Sequence, residues 1–319
     1  MKDRDSKVNI IEKAGESEKA TPLLTVFTPT YNREKLLPRV YESLKNQSCR
    51  AFKWLIVDDG SGDATGEIVE GFCREGILDI SYIYQENGGK MRAHNRGVKS
   101  CDTPLFVCLD SDDIFTPDAV ERILETWEKR DSLRTGAFTG ALTGILAYKG
   151  ERDPAVGGIR PFGNMYFPKK SLDKAYCGLS EIYLDGFKGE TTLVFVTDYL
   201  KRHLFPEIEG EKYVPEDYVY DQIDEEGKLI MSEHILTVCE LKEGGYTDIA
   251  GRLRRENPTG WFLYYEQRSE KSKWSLLKLK YLSHYLRFCR ILGKKPQLPL
   301  QEYLIALPGA LVLQLLGKS

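Results

Sequence analysis

Pro104-Leu105-Phe106-Val107-Cys108-Leu109-Asp110-Ser111-Asp112-Asp113 is the stretch whose reading decides the fold. Its apolar run reads as a buried strand that empties into three carboxylates within four residues. Like charges that close repel, so the fold must gain something by gathering them. A bound cation, a basic partner or plain solvation would each compensate. An Asp-x-Asp loop suits a hard cation such as Mg²⁺ or Mn²⁺, which takes oxygen ligands and shares them with phosphates. The plainer alternative is a solvated turn ahead of a helix, since Thr116-Pro117-Asp118 resembles a helix start.

Upstream of this stretch the same unit occurs three times. Leu23 to Phe27 reads as a buried strand ending in Thr28-Pro29-Thr30-Tyr31-Asn32-Arg33, with Asn32 as a helix N-cap. Leu36, Leu37, Val40, Tyr41 and Leu44 then recur at helical spacing. A second strand, Phe52 to Val57, ends in Asp58-Asp59-Gly60-Ser61-Gly62-Asp63, and Ile68, Val69 and Phe72 mark the helix after it. A third, Ile80 to Tyr84, ends in Glu86-Asn87-Gly88-Gly89-Lys90 ahead of a helix carrying Ala93, Asn95, Arg96 and Val98. Strands alternating with helices predict an α/β fold with a doubly wound, mostly parallel sheet. Ligands bind such sheets beyond the carboxyl ends of the strands, where every polar cluster named so far falls.

Downstream the pattern loosens. Ala137 to Tyr148, Thr191 to Thr197 and Ile235 to Leu241 read as further strands, and the Gly-, Pro- and aromatic-rich region 150–190 as a loop region covering a site. Residues 1–20 are charged and aperiodic and read as a mobile tail; 21–255 form the main domain and 256–319 a basic, amphipathic helical extension.

Bulk properties narrow the function. At 319 residues the chain holds one large core with room for an appendage. A net charge of −3 gives no pull toward nucleic acid. Seven scattered cysteines without a C-x-x-C pair argue for free thiols in a reducing compartment. His94, His203, His234 and His284 lack metal-ligand spacing. There is no signal-peptide core and no apolar run long enough to span a bilayer, so the expected address is the cytoplasm.

Taken together, TVFTPTYNR, WLIVDDGSGDAT, ENGGKMRAHNRG and LDSDD resemble, in order and spacing, the family 2 glycosyltransferases of the GT-A fold. Any one of these motifs would be weak; four in register are specific over roughly residues 23–130, and the resemblance runs on more weakly to about 260. It implies an inverting transfer of a sugar from a nucleoside diphosphate-sugar to a hydroxyl of a glycan or lipid-linked acceptor, in the setting of bacterial surface polysaccharide synthesis. By the same resemblance Thr28, Pro29, Tyr31 and Arg33 hold the base and ribose, and Asp58 reads the base edge. A carboxylate there accepts the uracil imide N–H, which favours a UDP-sugar. Lys90 and Arg96 contact the donor, where two cations suit a diphosphate; Asp110 binds its ribose or sugar side, with Ser111 also among the donor-binding residues, and Asp112 holds a Mn²⁺ or Mg²⁺. Asp113 either tunes the metal or caps a helix.

An inverting transfer needs a general base, and Val214-Pro215-Glu216-Asp217 matches the family's acidic pair. The second acid is normally the base there. The spacing to Tyr220 fits better with Glu216, which is placed first and Asp217 second. Lys188 and Glu190 are candidates for the border of the acceptor pocket.

From Arg268 to Lys295 basic residues interleave with Trp274, Leu276, Tyr281, Tyr285 and other large side chains. Such helices lie on anionic membrane surfaces, which would make the protein peripheral to the cytoplasmic membrane face; the alternative is a helical cap on the sheet or on a second subunit. Two other functions compete. A sugar-phosphate nucleotidyltransferase would carry a glycine-rich loop after the first strand, and TPTYNR has no glycine. A non-catalytic nucleotide-sugar-binding protein would not need the D-x-D and a base.

Overall fold

The computed structural model describes residues 22–133, 140–153, 157–239 and 250–315. The tail expected over 1–20, the start of the strand expected from Ala137, the end of the one expected at Leu241, and the end of the extension expected over 256–319 lie outside the described residues. The chain divides into two compact units: the described residues of Met1–Leu204 with Tyr220–Glu240, and those of Phe205–Val219 with Leu241–Ser319.

The first unit is a mixed α/β sheet domain. In order it runs β1 (Leu24–Thr30), α1 (Leu37–Lys45), β2 (Phe52–Asp58), α2 (Thr65–Glu75), β3 (Ile80–Tyr84), α3 (Lys90–Ser100), β4 (Leu105–Cys108), β5 (Asp113–Phe115), α4 (Ala119–Glu128) and α5 (Arg130–Leu133). It continues with β6 (Ala141–Arg152), β7 (Ile159–Pro161), α6 (Lys169–Leu172), β8 (Tyr176–Cys177), α7 (Leu179–Leu184), β9 (Thr191–Val196) and α8 (Thr197–Arg202). After α9 (Asp217–Glu226), which enters this unit at Tyr220, β10 (Gly227–Cys239) completes the sheet.

The strand order is β3-β2-β1-β4-β9-β6-β10-β5, with β7 beside β6 and β8 beside β10. Pairings β1–β2, β2–β3, β1–β4 and β6–β10 are parallel, while β9 is antiparallel to both β4 and β6, and β5 is antiparallel to β10. Along this path β3, β2, β1, β4, β6 and β10 therefore run one way and only β9 and β5 the other, so the sheet is mostly parallel, as expected.

Period-2 alternation builds both faces of this sheet. Leu24 and Val26 share a buried core with Trp54, Ile56, Leu105 and Val107 beneath Leu37, Val40 and Leu44 of α1, Val69 of α2 and Ile123 of α4. The intervening Phe27 faces the other way, stacked on Phe106 at 5.2 Å and edge-on to His94 of α3 at 5.7 Å. Gly97 lets α3 come this close, because a Cβ there would stand 2.4 Å from the Phe27 ring. Burial and the nearby Lys90 charge push the His94 pKa down to about 3, so the ring packs as a neutral group.

The second unit holds α10 (Ala250–Glu256), α11 (Pro258–Lys271), α12 (Leu276–Ile291) and α13 (Leu300–Leu315). Phe262, Leu282, Tyr285, Phe288, Ala306 and Ala310 meet in its core. Glu211 accepts hydrogen bonds from the backbone N–H of Thr259 (2.7 Å) and Gly260 (2.8 Å), a carboxylate placed on the exposed donors that open α11. Asn257 Oδ1 accepts from the N–H of Lys212 and Tyr213. The segment that leads to Glu216 is thereby tied to the start of α11.

Candidate active site

Register brings the polar clusters to one edge. Thr30 pairs with Asp58 and Asp58 with Tyr84, while Phe27 pairs with Cys108. The last ladder bonds run from Asp59 N to Thr30 O (2.8 Å), from Gln85 N to Asp58 O (2.9 Å) and from Leu109 N to Phe27 O (2.8 Å). The loops after β1, β2, β3 and β4 therefore leave from the carboxyl ends of neighbouring strands.

Side chains then lock these loops together. The backbone N–H of Asn32 donates to Ser61 Oγ (2.8 Å), and Asn32 Oδ1 accepts from Gly62 N (2.9 Å). Asn32 sits in the left-handed region at φ 52°, and helix α1 is capped at Leu36, so the expected N-cap role does not hold. The side chain serves the neighbouring loop instead. Asp58 is buried, with Oδ1 accepting from Ser61 N (2.8 Å) and Oδ2 from the Tyr82 hydroxyl (2.7 Å). Burial and the bond to Asp58 raise the Tyr82 pKa, keeping that hydroxyl a donor.

Asp59 grips the next loop. Its carboxylate accepts from Gln85 Nε2 (2.7 Å), Asn87 Nδ2 (3.1 Å), Gly88 N (2.9 Å) and Gly89 N (2.7 Å). Gly60, at φ +86°, passes so near Asn87 that a Cβ would meet its backbone nitrogen at 2.8 Å. Four bonds on one acid position the loop that opens α3 and carries Lys90. Asp59→Asn turns an amide NH₂ toward backbone N–H groups, and it is expected to cost about 1–3 kcal/mol of stability. Urea unfolding of the variant measures that loss; an unchanged midpoint would show that the loop holds without Asp59.

The acidic loop after β4 divides its charges. Lys90 Nζ lies 2.8 Å from Asp110 Oδ1 and 3.0 Å from Oδ2. Burial works to raise the Asp110 pKa, but Lys90 and then Lys149 outweigh it and hold the carboxyl below its usual range. Asp113 starts β5 and is 5% exposed, paired at 2.6 Å with Lys149 Nζ, itself 18% exposed. Burial pushes the Asp113 pKa up to about 6, with Lys149 opposing and Asp110 and Asp112 adding to the rise. The Lys149 pKa is raised in turn: burial lowers it, and the Asp113 and Asp110 charges win.

Asp112, half-buried, makes no hydrogen bond or ion pair among the described residues. Arg33 Nε donates to Ser111 Oγ at 3.3 Å, joining the first loop to the fourth. Arg96 is half-buried on α3 and likewise without a hydrogen bond or ion pair among the described residues. Thr28 is buried and bonded to Trp54 Nε1 (3.0 Å), Pro29 is buried, and Tyr31 is exposed.

Among the described residues no three His, Cys, Asp or Glu side chains converge as a metal-ligand set. The donor chemistry nevertheless fits Mg²⁺ or Mn²⁺, which is commonly held by one or two carboxylates with substrate phosphates completing the shell. Asp112 is the carboxylate not committed to a lysine.

Glu216 and Asp217 belong to the second unit. Arg268 Nη2 pairs with Asp217 Oδ2 at 3.0 Å. Burial raises the Asp217 pKa, with Arg268 opposing and Glu216 adding to the rise. Lys188 and Glu190 are exposed in the first unit. Sequence reasoning missed Lys149 and Tyr82, and read Arg268 as the start of a membrane-facing basic stretch, while the structure pairs it with Asp217. Alternation along β3 could have flagged Tyr82; no local signal marks Lys149 or the Arg268 pair.

A model of the family described as "Glycosyl transferase family 2" matches residues 25–179. Over 108 residues the chain is 33% identical to the putative glycosyltransferase EpsH of Bacillus subtilis (strain 168), covering 33% of this chain and 30% of that protein. The match thus spans less than a third of that relative's length. Among solved structures, S. aureus TarS 1-349 in complex with UDP-GlcNAc superposes with a TM-score of 0.56 at 18% identity, over 90% of this chain and 79% of that one. The mannosyltransferase PcManGT from Pyrobaculum calidifontis, in complex with GDP-Man and Mn²⁺, gives 0.53 at 17% identity, over 95% and 84%. At such identities the likeness is one of fold.

Proposed function

On the premise that this chain belongs, through residues 25–179, to glycosyltransferase family 2, we propose that it is an inverting, divalent-metal-dependent glycosyltransferase. Its donor is a nucleoside diphosphate-sugar, with uridine as the base. Its acceptor is a hydroxyl of a glycan or lipid-linked saccharide, in bacterial surface polysaccharide synthesis at the cytoplasmic membrane face. One observation carries this reading. At one edge of the parallel strands, the Lys90–Asp110 and Arg33–Ser111 contacts flank Asp112, the acid without a partner among the described residues.

The residues take the following roles. Thr28, Pro29, Tyr31 and Arg33 border the nucleoside, and Asp58, fixed by Ser61 and Tyr82, accepts from the base. Each of its oxygens keeps a second acceptor site for this purpose. Lys90 and Arg96 supply positive charge to the diphosphate, as paired cations do for phosphate oxygens. Asp110 binds the ribose or sugar side, with Ser111 beside it in the donor site. Asp112 holds the metal, whose contribution when bound is to neutralise charge on the departing nucleoside diphosphate. Glu216, or failing it Asp217, takes the proton from the acceptor hydroxyl. Support for a nucleotide-sugar donor comes from the fold neighbours that hold UDP-GlcNAc and GDP-Man with Mn²⁺.

Incubation with a panel of sugar nucleotides and Mn²⁺ tests the proposal. Release of free nucleoside diphosphate, fastest from a uridine donor, is the expected result. Pyrophosphate chemistry would assign the chain to the nucleotidyltransferases. Binding without turnover on any acceptor would make it a nucleotide-sugar-binding protein.

A further inference from the structure

The charge pattern of the C-terminal helices is one-sided. From 271 to 315 the sequence holds eight lysines and arginines but a single acid, Glu302. That acid is turned inward: Lys278 Nζ lies 3.1 Å from Glu302 Oε1, with side-chain exposures of 10% and 16%. The outer face of α13 is consequently uncharged. It is also apolar, with Leu300 (72%), Leu304 (58%), Leu311 (42%) and Leu315 (86%) exposed at helical spacing and Ile305 and Val312 exposed beside them.

Two contacts orient this face within its unit. Lys278 meets Glu302, and Ser283 Oγ donates to Ala306 O at 3.2 Å, so α12 and α13 lie side by side and run in the same direction. Their starts therefore share one end. There Lys278 Nζ stands 5.4 Å from the ring of Trp274, and Trp274, Leu276 and Leu277 are exposed alongside the exposed Lys271, Lys273 and Lys280.

We propose that the outer face of α13, together with Trp274, Leu276 and Leu277, docks on an anionic lipid bilayer surface. A row of exposed leucines with a tryptophan and a lysine-rich border is the pattern of a helix lying in the headgroup region. At 16 residues α13 is too short to cross the hydrocarbon core, and no helix among the described residues is long and apolar enough to do so. A second copy of the chain fits less well. Self-pairing of this face would bring two lysine-rich borders together, with Glu270 the exposed acid that adjoins Lys271 and none between 271 and 315. The inference deepens the reading of a lipid-linked acceptor, yet vesicle binding needs no turnover, so each can fail alone.

Flotation of the full chain decides it. Vesicles of phosphatidylcholine alone are compared with vesicles containing about one-third phosphatidylglycerol. The protein is expected to float with the anionic vesicles and to be released by salt. Leu304→Glu with Leu311→Glu is expected to cut the bound fraction about tenfold or more, with circular dichroism and melting temperature unchanged because both side chains are exposed. No flotation of the wild-type protein with anionic vesicles, or equal flotation of the variant, would overturn the proposal. A dimer split by the same variant, without flotation, would assign the face to a second copy.

Discussion

Asp112→Asn is expected to lower metal-dependent sugar transfer by about 10³-fold or more, the rate equivalent of several kcal/mol of transition-state charge stabilisation. The size follows from how the acidic loop is shared out. Lys90 holds Asp110 and Lys149 holds Asp113, leaving Asp112 as the carboxylate with no counter-charge among the described residues. Asparagine keeps the shape and loses the charge. Stability should hold or rise slightly, because Asp112 repels Asp113 and helps push its pKa up. The check is turnover against Mn²⁺ concentration beside a urea melt. Wild-type rates would remove Asp112 from the metal site; a collapsed melt would mean that the loop needs the charge to fold.

Lys149→Met is expected to cost about 3–5 kcal/mol of folding stability, the range for removing one partner of a buried ion pair. Asp113 is almost fully buried and Lys149 nearly so, and 2.6 Å separates their charged atoms. Methionine fills much of the volume but strands the carboxylate. The pair also joins β6 to β5, two strands that flank β10 without touching each other in the ladder. Loosening it should displace the turn that carries Asp110 and Asp112, so transfer should fall with stability. The double variant Lys149→Met with Asp113→Asn removes both charges and should recover most of the lost stability. Equal melts for the single and double variants would show that the pair is not what the site depends on.

These two residues also mark where sequence reasoning stops. The strand ends after β1 to β4 were legible because each is a local event: an apolar run, a turn and a helical period within some 30 residues. Ile80 to Tyr84 and Thr191 to Val196 show how well such runs locate strands. Lys149 was not legible. Its partner is distant in sequence, and the two meet only because β10 pairs with both of their strands. Asp113 itself looked like part of a turn or helix cap, but backbone pairing with Cys239 draws it into a strand. Asp59 could be read as fixing its own turn; that it holds Gly88 and Gly89 depends on β2 and β3 lying side by side. The exposed side of α13 was likewise hidden, since its apolar run does not tell which leucines Ala306 and Ala310 leave outside.

Because Lys90 rests on Asp110, the charge at the carboxyl end of β4 is balanced before any substrate arrives. A free anion would have to pull the lysine away and leave the carboxylate without its nearest counter-charge. On the proposed function, a nucleotide-sugar would offer phosphate oxygens to Lys90 and hydroxyl donors to Asp110 at once, so each half of the pair would trade one partner for another. On that same proposal, the contact would act as an interlock, opened by a ligand that carries both functions and kept shut against those that carry one.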